Sequence, residues 1–185
     1  MELLKVLDEN GNETGEILDR ELVHSRGLWH REAVVWIFNS KGETLLQRRS
    51  KNKKMAPGKL ALCAGHIESR DDSLTTAKKE LFEELGIDVD KKDIIYLITE
   101  KKEKIFSENS INRIFNDIYY VMIDKDISEF KIQEEELSEV IWINYLELKK
   151  RIANHDDELV FKFGNVSEIK TFELLDSLYS KITSN

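Results

Sequence analysis

The sequence is poor in the residues that would steer it toward a specialised architecture. Its one cysteine, Cys63, cannot close an intramolecular disulfide, and no Cys/His quartet is present for structural zinc. With 1 proline and 8 glycines in 185 residues, collagen-like and low-complexity chains are excluded. The longest apolar runs, Ala33–Phe38 and Ile118–Ile123, fall far short of the ~20 residues that a membrane-spanning helix needs. Positive charge is in deficit as well. Against 36 Asp and Glu stand 28 Lys and Arg, and the formal charge of -8 has the wrong sign for a protein that coats nucleic-acid phosphates. An anionic small molecule must therefore be met by a local basic patch or by a metal ion. The opening MELLKVLDEN is acidic and has no signal-peptide apolar core. A cytoplasmic protein is expected, monomeric or homodimeric, with neither a membrane nor a nucleic-acid polymer as partner.

What is present supports one ordinary core. Hydrophobic residues make up 41% of the chain, and its length is that of a single domain. Asn10-Gly11 between apolar flanks predicts a hairpin over Leu3–Leu18. A second hairpin joins Ala33–Phe38 to Glu43–Arg48 through the turn Asn39–Gly42, and Lys59–Ala64 reads as a short strand leading to Gly65. Ser73–Leu85 reads as a helix, capped by Asp72 or Ser73, stopped by Gly86, and buried along Leu74, Ala77, Leu81 and Leu85. Further on, Ile94–Thr99, Phe115–Ile123 and Val140–Ile143 are strand candidates, with Glu100–Asn112 as a long loop or an extended hairpin arm. Tyr145–Ala153 looks helical, and Val166, Ile169, Phe172, Leu175, Leu178 and Ile182 recur at the spacing of an amphipathic closing helix. These elements predict a mixed sheet flanked by helices.

The informative stretch is Gly65 to Ile87, GHIESRDDSLTTAKKELFEELGI. On a helix, Glu80, Glu83 and Glu84 stand at i, i+3 and i+4 and crowd one face beside the apolar stripe. Three like charges repel unless a cation or a raised pKa relieves them. Hard oxygen donors without His or Cys favour Mg²⁺ or Mn²⁺. The bland alternative is a solvated acidic helix face.

The spacing resembles the Nudix box, G-x5-E-x7-R-E-U-x-E-E-x-G-U with U aliphatic. Gly65, Glu80, Leu81, Glu83, Glu84, Gly86 and Ile87 fall on required positions. Asp71 stands where the box has Glu, and Lys79 where it has Arg; Lys lacks the bidentate fork of Arg. The resemblance implies a Nudix α/β/α sandwich over residues 1–185, with 1–28 as an N-terminal hairpin extension, 65–87 as the box and 145–185 as C-terminal helices. It also implies a Mg²⁺-dependent, or Mn²⁺-dependent, hydrolase of a phosphoanhydride bond in a nucleoside diphosphate or related diphosphate metabolite. The implied metal ligands are Glu80, Glu83, Glu84, the Gly65 carbonyl and, from a later loop, Glu136; either Glu83 or Glu80 accepts the proton of the attacking water.

Beyond the box, residues from about Leu3 to Ile143 look like the isopentenyl-diphosphate isomerase-like branch of the family. That branch holds isomerases and hydrolases. His30 and His66 match positions where the isomerase binds metal, and Arg48, Arg49 and Lys54 lie in the basic stretch that contacts diphosphate. Three features argue against an isomerase. Ala64 takes the place of its catalytic Cys, Asn112 and Ile114 take the places of its paired glutamates, and the Glu-rich end of the box is nearly complete. Strand alternation is expected to turn Cys63 away from the metal. Two rivals stand beside the hydrolase: an isopentenyl-diphosphate isomerase, and a binding module that keeps the fold without turnover.

Overall fold

The computed structural model describes residues 2–53, 55–107, 110–160 and 166–184, without the side chains of residues 104–111, 166 and 167. In chain order the elements are β1 (Leu3–Leu7), β2 (Glu13–Asp19), α1 (Arg20–Ser25), β3 (Trp29–Phe38), β4 (Glu43–Arg49), β5 (Leu60–Ala61) and β6 (Cys63–His66). They continue as α2 (Ser73–Leu85), β7 (Ile95–Ser107), β8 (Ser110–Met122), β9 (Leu137–Asn144), α3 (Tyr145–Ala153) and α4 (Val166–Thr183). All nine strands belong to one mixed sheet. Among the described residues, no helix is long and apolar enough to cross a membrane.

β3 is the hub of that sheet. It pairs antiparallel with β1, β4 and β6, and parallel with β8 over Trp29–Phe38 against Arg113–Met122. A parallel pair requires a long crossover, which here carries α2. Side-chain alternation along β3 then sorts the core into two layers. Ala33, Val35 and Ile37 pack with Ala77, Leu81 and Leu85 of α2. Val34, Trp36 and Phe38 pack on the opposite face with Tyr145, Leu148 and Ile152 of α3 and Leu175 of α4. The result is the expected mixed α/β architecture, with helices on both faces of the sheet.

Two elements differ from the sequence reading, and for a third the structure selects one of its two alternatives. The single strand expected at Lys59–Ala64 is two short ones, because the chain changes partner at Leu62, from β4 on one side to β3 on the other. The polar stretch after Thr99 is a hairpin arm, β7 and β8 pairing antiparallel from Ile95↔Tyr120 to Ser107↔Ser110 with register shifts at Tyr96/Ile98 and Ile105/Ser107. Its charges are held on the sheet: Arg113 Nε donates to Glu103 at 2.5 Å, and the Lys101 ammonium sits 4.6 Å from the Trp29 ring centroid. Arg20–Ser25 forms a short helix that the periodicity left unassigned, since its buried side is Val23 alone.

α2 has the predicted bounds, with both ends set by local chemistry. The Asp72 carboxylate accepts the Thr75 N–H at 2.6 Å, and Gly86 adopts φ +65°, donating its N–H to the Phe82 carbonyl at 2.9 Å. Asp72→Ala is expected to cost about 1 kcal/mol, hence roughly 2–4 °C in Tm, read by thermal unfolding.

Candidate metal and diphosphate site

β6 runs straight into the loop that starts α2, so Gly65 lies directly against the helix face that carries the glutamates. A Cβ at position 65 would overlap the Glu80 carboxylate; only glycine lets that carboxylate come so close to the strand. Glu84 is buried at 8% exposure and is held from two strands. Gln47 of β4 donates its Nε2 to Glu84 Oε2 at 2.7 Å, and the Cys63 thiol of β6 hydrogen-bonds the same carboxylate. Glu83, one turn beyond Glu80, is exposed. All three glutamates, with Gly65, line a cavity of about 1170 Å³ that Arg49, Lys53 and Glu136 also border.

The electrostatics follow from crowding. Burial, then repulsion from Glu84 and Glu83, pushes Glu80 up to about 8. Burial likewise pushes Glu84 up to about 7, against the hydrogen bonds from Gln47 and Cys63 that favour its charged form. The three carboxylates border one cavity and are hard oxygen donors of the kind that Mg²⁺ and Mn²⁺ take, and a cation there would relieve the repulsion; among the described residues, the group whose ligand atoms already lie within 4.8 Å of one another is that of His24, His30 and His66.

The remaining expected residues are placed as follows. Arg49 borders the cavity and donates Nε to the Met55 carbonyl at 3.1 Å. Arg48 does not reach the cavity. Strand alternation turns it to the other face, where it pairs with Glu139 and donates to the Gly58 carbonyl at 3.0 Å. Lys54 lies outside the described residues. Glu136 pairs with Lys53. Lys79 donates to Glu68 at 2.9 Å rather than to Asp71, which borders a separate small hollow beside Lys5 and Arg31. Asp71 acts on Lys79 only at longer range.

Cys63 requires a correction. Alternation does separate it from Ala64, but it is Ala64 that faces the sheet side of α3 and α4, while Cys63 packs under α2 against Glu84. The acidic cluster belongs to the α2 side, so alternation turns the thiol toward it. Burial raises the thiol pKa well above its ordinary value, with Glu84 and Glu80 adding to the effect.

A second cluster adjoins the first. His24, His30 and His66 place ring nitrogens within 4.8 Å of one another, and His66 Nε2 lies 3.1 Å from Glu32 Oε1. Burial holds His30 down at about 4 and His66 well below its ordinary value, so both are neutral imidazoles at pH 7, as metal ligation requires. Burial pushes Glu32 up to about 7. His24, Glu32, Glu68 and Gln47 escaped the sequence reading. Gln47 alone carried a signal: a polar residue alternating with Leu45 on a strand face that should be apolar.

Comparison with known proteins identifies the family. Residues 28–163 match the family described as NUDIX domain. A protein of Arabidopsis thaliana named Nudix hydrolase 3 is 35% identical over 175 residues, 92% of this chain but only 23% of that protein. Isopentenyl-diphosphate Delta-isomerase 2 of Photorhabdus laumondii is 29% identical over 166 residues, covering 89% of this chain and 90% of the isomerase. The crystal structure of DR0079 from Deinococcus radiodurans superposes with a TM-score of 0.67 at 20% identity, covering 92% of this chain and 98% of that one, a likeness of fold. The chain belongs to the Nudix family, whose hydrolases act on phosphoanhydride bonds and generally use divalent metal ions.

The raised carboxylates set a pH dependence. Glu80 at about 8 and Glu84 and Glu32 at about 7 bind protons more tightly folded than unfolded, where the value is 4.5. Their stabilising share is complete below 4.5 and is lost as pH rises through 7 and 8. The depressed histidines oppose this only as pH falls below 6.5. The Tm of metal-free protein is therefore expected to fall from pH 6.5 to 8.5, and saturating Mg²⁺ to flatten the slope; a rising Tm over that window would contradict the assignment.

Proposed function

We propose that the protein is a Mg²⁺-dependent hydrolase that cleaves a phosphoanhydride bond in a nucleoside diphosphate derivative or related diphosphate metabolite. The observation that carries this reading is the convergence of Glu80, Glu83, Glu84 and Gly65 in one cavity with Arg49 and Lys53. When bound there, a divalent cation supplies neutralisation of phosphate oxygens and acidification of a water molecule. The chain's own residues do the rest. Arg49 and Lys53 border the cavity where diphosphate oxygens would lie, Arg49 with a planar fork suited to bidentate pairing. Gln47 fixes one oxygen of Glu84, leaving the carboxylate a single orientation toward the cavity. Glu83, which is exposed to water, accepts the proton of an attacking water in this reading, with Glu80 as the alternative. Lys79 and Glu68 brace the loop that carries Gly65 into the helix.

The three-histidine cluster favours a second reading, that of an isomerase. The placement of Cys63 speaks against it. At the position where the isomerase carries its catalytic thiol, the cavity is bordered by the methyl group of Ala64. Cys63 itself is 2% exposed and packed under α2.

Glu83→Gln is expected to lower Mg²⁺-dependent phosphate release about a hundredfold or more with Tm unchanged, whereas Cys63→Ala stays within a few-fold of wild type because Gln47 still holds Glu84. Isopentenyl diphosphate incubated with the wild type should give no acid-labile dimethylallyl isomer. Isomer formation that vanishes in Cys63→Ala would establish the isomerase instead.

A further inference from the structure

Among the described residues, six lysines and arginines border the cavity, and four of them are already paired. Arg20, Lys53, Lys79 and Lys102 each lie in an ion pair with a carboxylate. Arg49 and Lys59 do not. Arg49 donates to the Met55 carbonyl, with Glu84 and Glu32 acting on it at longer range, and the Lys59 ammonium has no partner among the described residues. These two cations face each other. Gly58, at φ +71°, turns the chain so that its N–H reaches the Arg49 carbonyl at 3.1 Å while the Arg49 N–H reaches the Lys59 carbonyl at 2.9 Å. Two residues earlier on β4, Gln47 stands opposite Ala61 of β5. Strand alternation therefore sets Arg49 and Lys59 opposite each other, on the face from which Gln47 reaches Glu84. Like charges so placed repel and cost stability. Neither has an acid within ion-pair distance to offset that cost, and the pair opens onto the cavity that the glutamates line. Its complement is an anion with several free oxygens.

We propose that Arg49 and Lys59 together hold a terminal phosphate, so that the protein acts on compounds that end in a diphosphate rather than on those whose diphosphate is capped at both ends. Lys59 is the specificity-determining residue. A terminal phosphate carries nearly two negative charges and three acceptor oxygens, enough to engage the planar fork of Arg49 and the point charge of Lys59 at once. A second ester group at that end removes a charge and an acceptor, and sets an uncharged substituent against the Lys59 ammonium. Hydrolysis of such a compound consumes one water: the bridging P–O bond breaks, the water oxygen joins the phosphorus that loses the bridge, and orthophosphate and a phosphate monoester leave. The inference rests on the diphosphate reading of the site and adds which kind of diphosphate it takes.

The test uses two probes that differ by one methyl group: methyl diphosphate, whose end phosphate is free, and symmetrical dimethyl diphosphate, whose phosphates are both capped. Neither presumes what group the natural substrate carries. Binding is measured by calorimetry with and without Mg²⁺, and phosphate release with it, for wild type, Lys59→Met and Lys59→Arg, with ligand-free Tm recorded for each. Lys51→Met is the control, since Lys51 lies in the same basic stretch and does not border the cavity. Wild type is expected to prefer methyl diphosphate about tenfold or more. Lys59→Met should weaken that probe about tenfold, shift the dimethyl probe by no more than about twofold, and hold or raise Tm because the repulsion with Arg49 is gone. Lys59→Arg, which keeps the charge, should stay within a few-fold of wild type, and Lys51→Met should change neither probe. No binding of methyl diphosphate by wild type, equal binding of both probes, or a Lys59→Met protein that discriminates as wild type does overturns the inference. So does a loss that Lys51→Met shares, because net charge alone would then account for it. If Lys59→Met does not fold, Lys59→Gln is judged by the same criteria. Discrimination that depends on Lys59 without any phosphate release would uphold the inference and refute the hydrolase; release from both probes alike, indifferent to Lys59, would do the reverse.

Discussion

The close approach of α2 to β6 at Gly65 is the constraint on which the rest of the structure depends. Three carboxylates are brought onto one helix face, and two of them, Glu80 and Glu84, are pressed against the sheet, where repulsion and desolvation oppose their charged forms. The fold counters this with rigid support. α2 is capped at both ends, its apolar stripe is buried against β3, and Glu84 is gripped by Gln47 and Cys63 from two neighbouring strands. What remains is a crowded set of carboxylates facing a cavity, which protons relieve in the metal-free protein and a divalent cation would relieve in their place, giving an anionic substrate a bridge to the site.

The sheet arranges the two ends of that cavity. β3 carries one set of side chains into the layer under α2 and the alternate set into the layer under α3 and α4. Because β6 ends at the rim between these layers, Gly65 belongs to the acidic cluster while Ala64 and His66 open toward the other face. The same alternation turns the thiol of Cys63 to the α2 side, away from the face that Ala64 borders.

Much of this was legible in the chain itself. The helix Ser73–Leu85 could be bounded to the residue because its caps, Asp72 and Gly86, are local signals, and the spacing of Glu80, Glu83 and Glu84 is a property of any helix. Long-range partners were not legible. Gln47 lies 37 residues from Glu84, and nothing local indicates that the strand bearing it runs beneath that carboxylate. Lys79 takes Glu68 as its partner, a choice made by loop geometry that the box spacing does not display. The direction of Cys63 depended on which sheet face receives α2, and alternation alone gives relative, not absolute, orientation. His24 escaped because α1 is too short to display a period.

The account stands most directly on the claim that the face joining Gly65 to α2 holds a divalent cation. Mn²⁺ binding to wild type and Gly65→Ala, followed by electron paramagnetic resonance, tests it without reference to any substrate. The added methyl group collides with the end of the Glu80 side chain, which can swing away, so metal-free Tm should change by no more than a few degrees while Mn²⁺ affinity falls about tenfold or more. Undiminished Mn²⁺ binding by a well-folded Gly65→Ala protein would contradict the account.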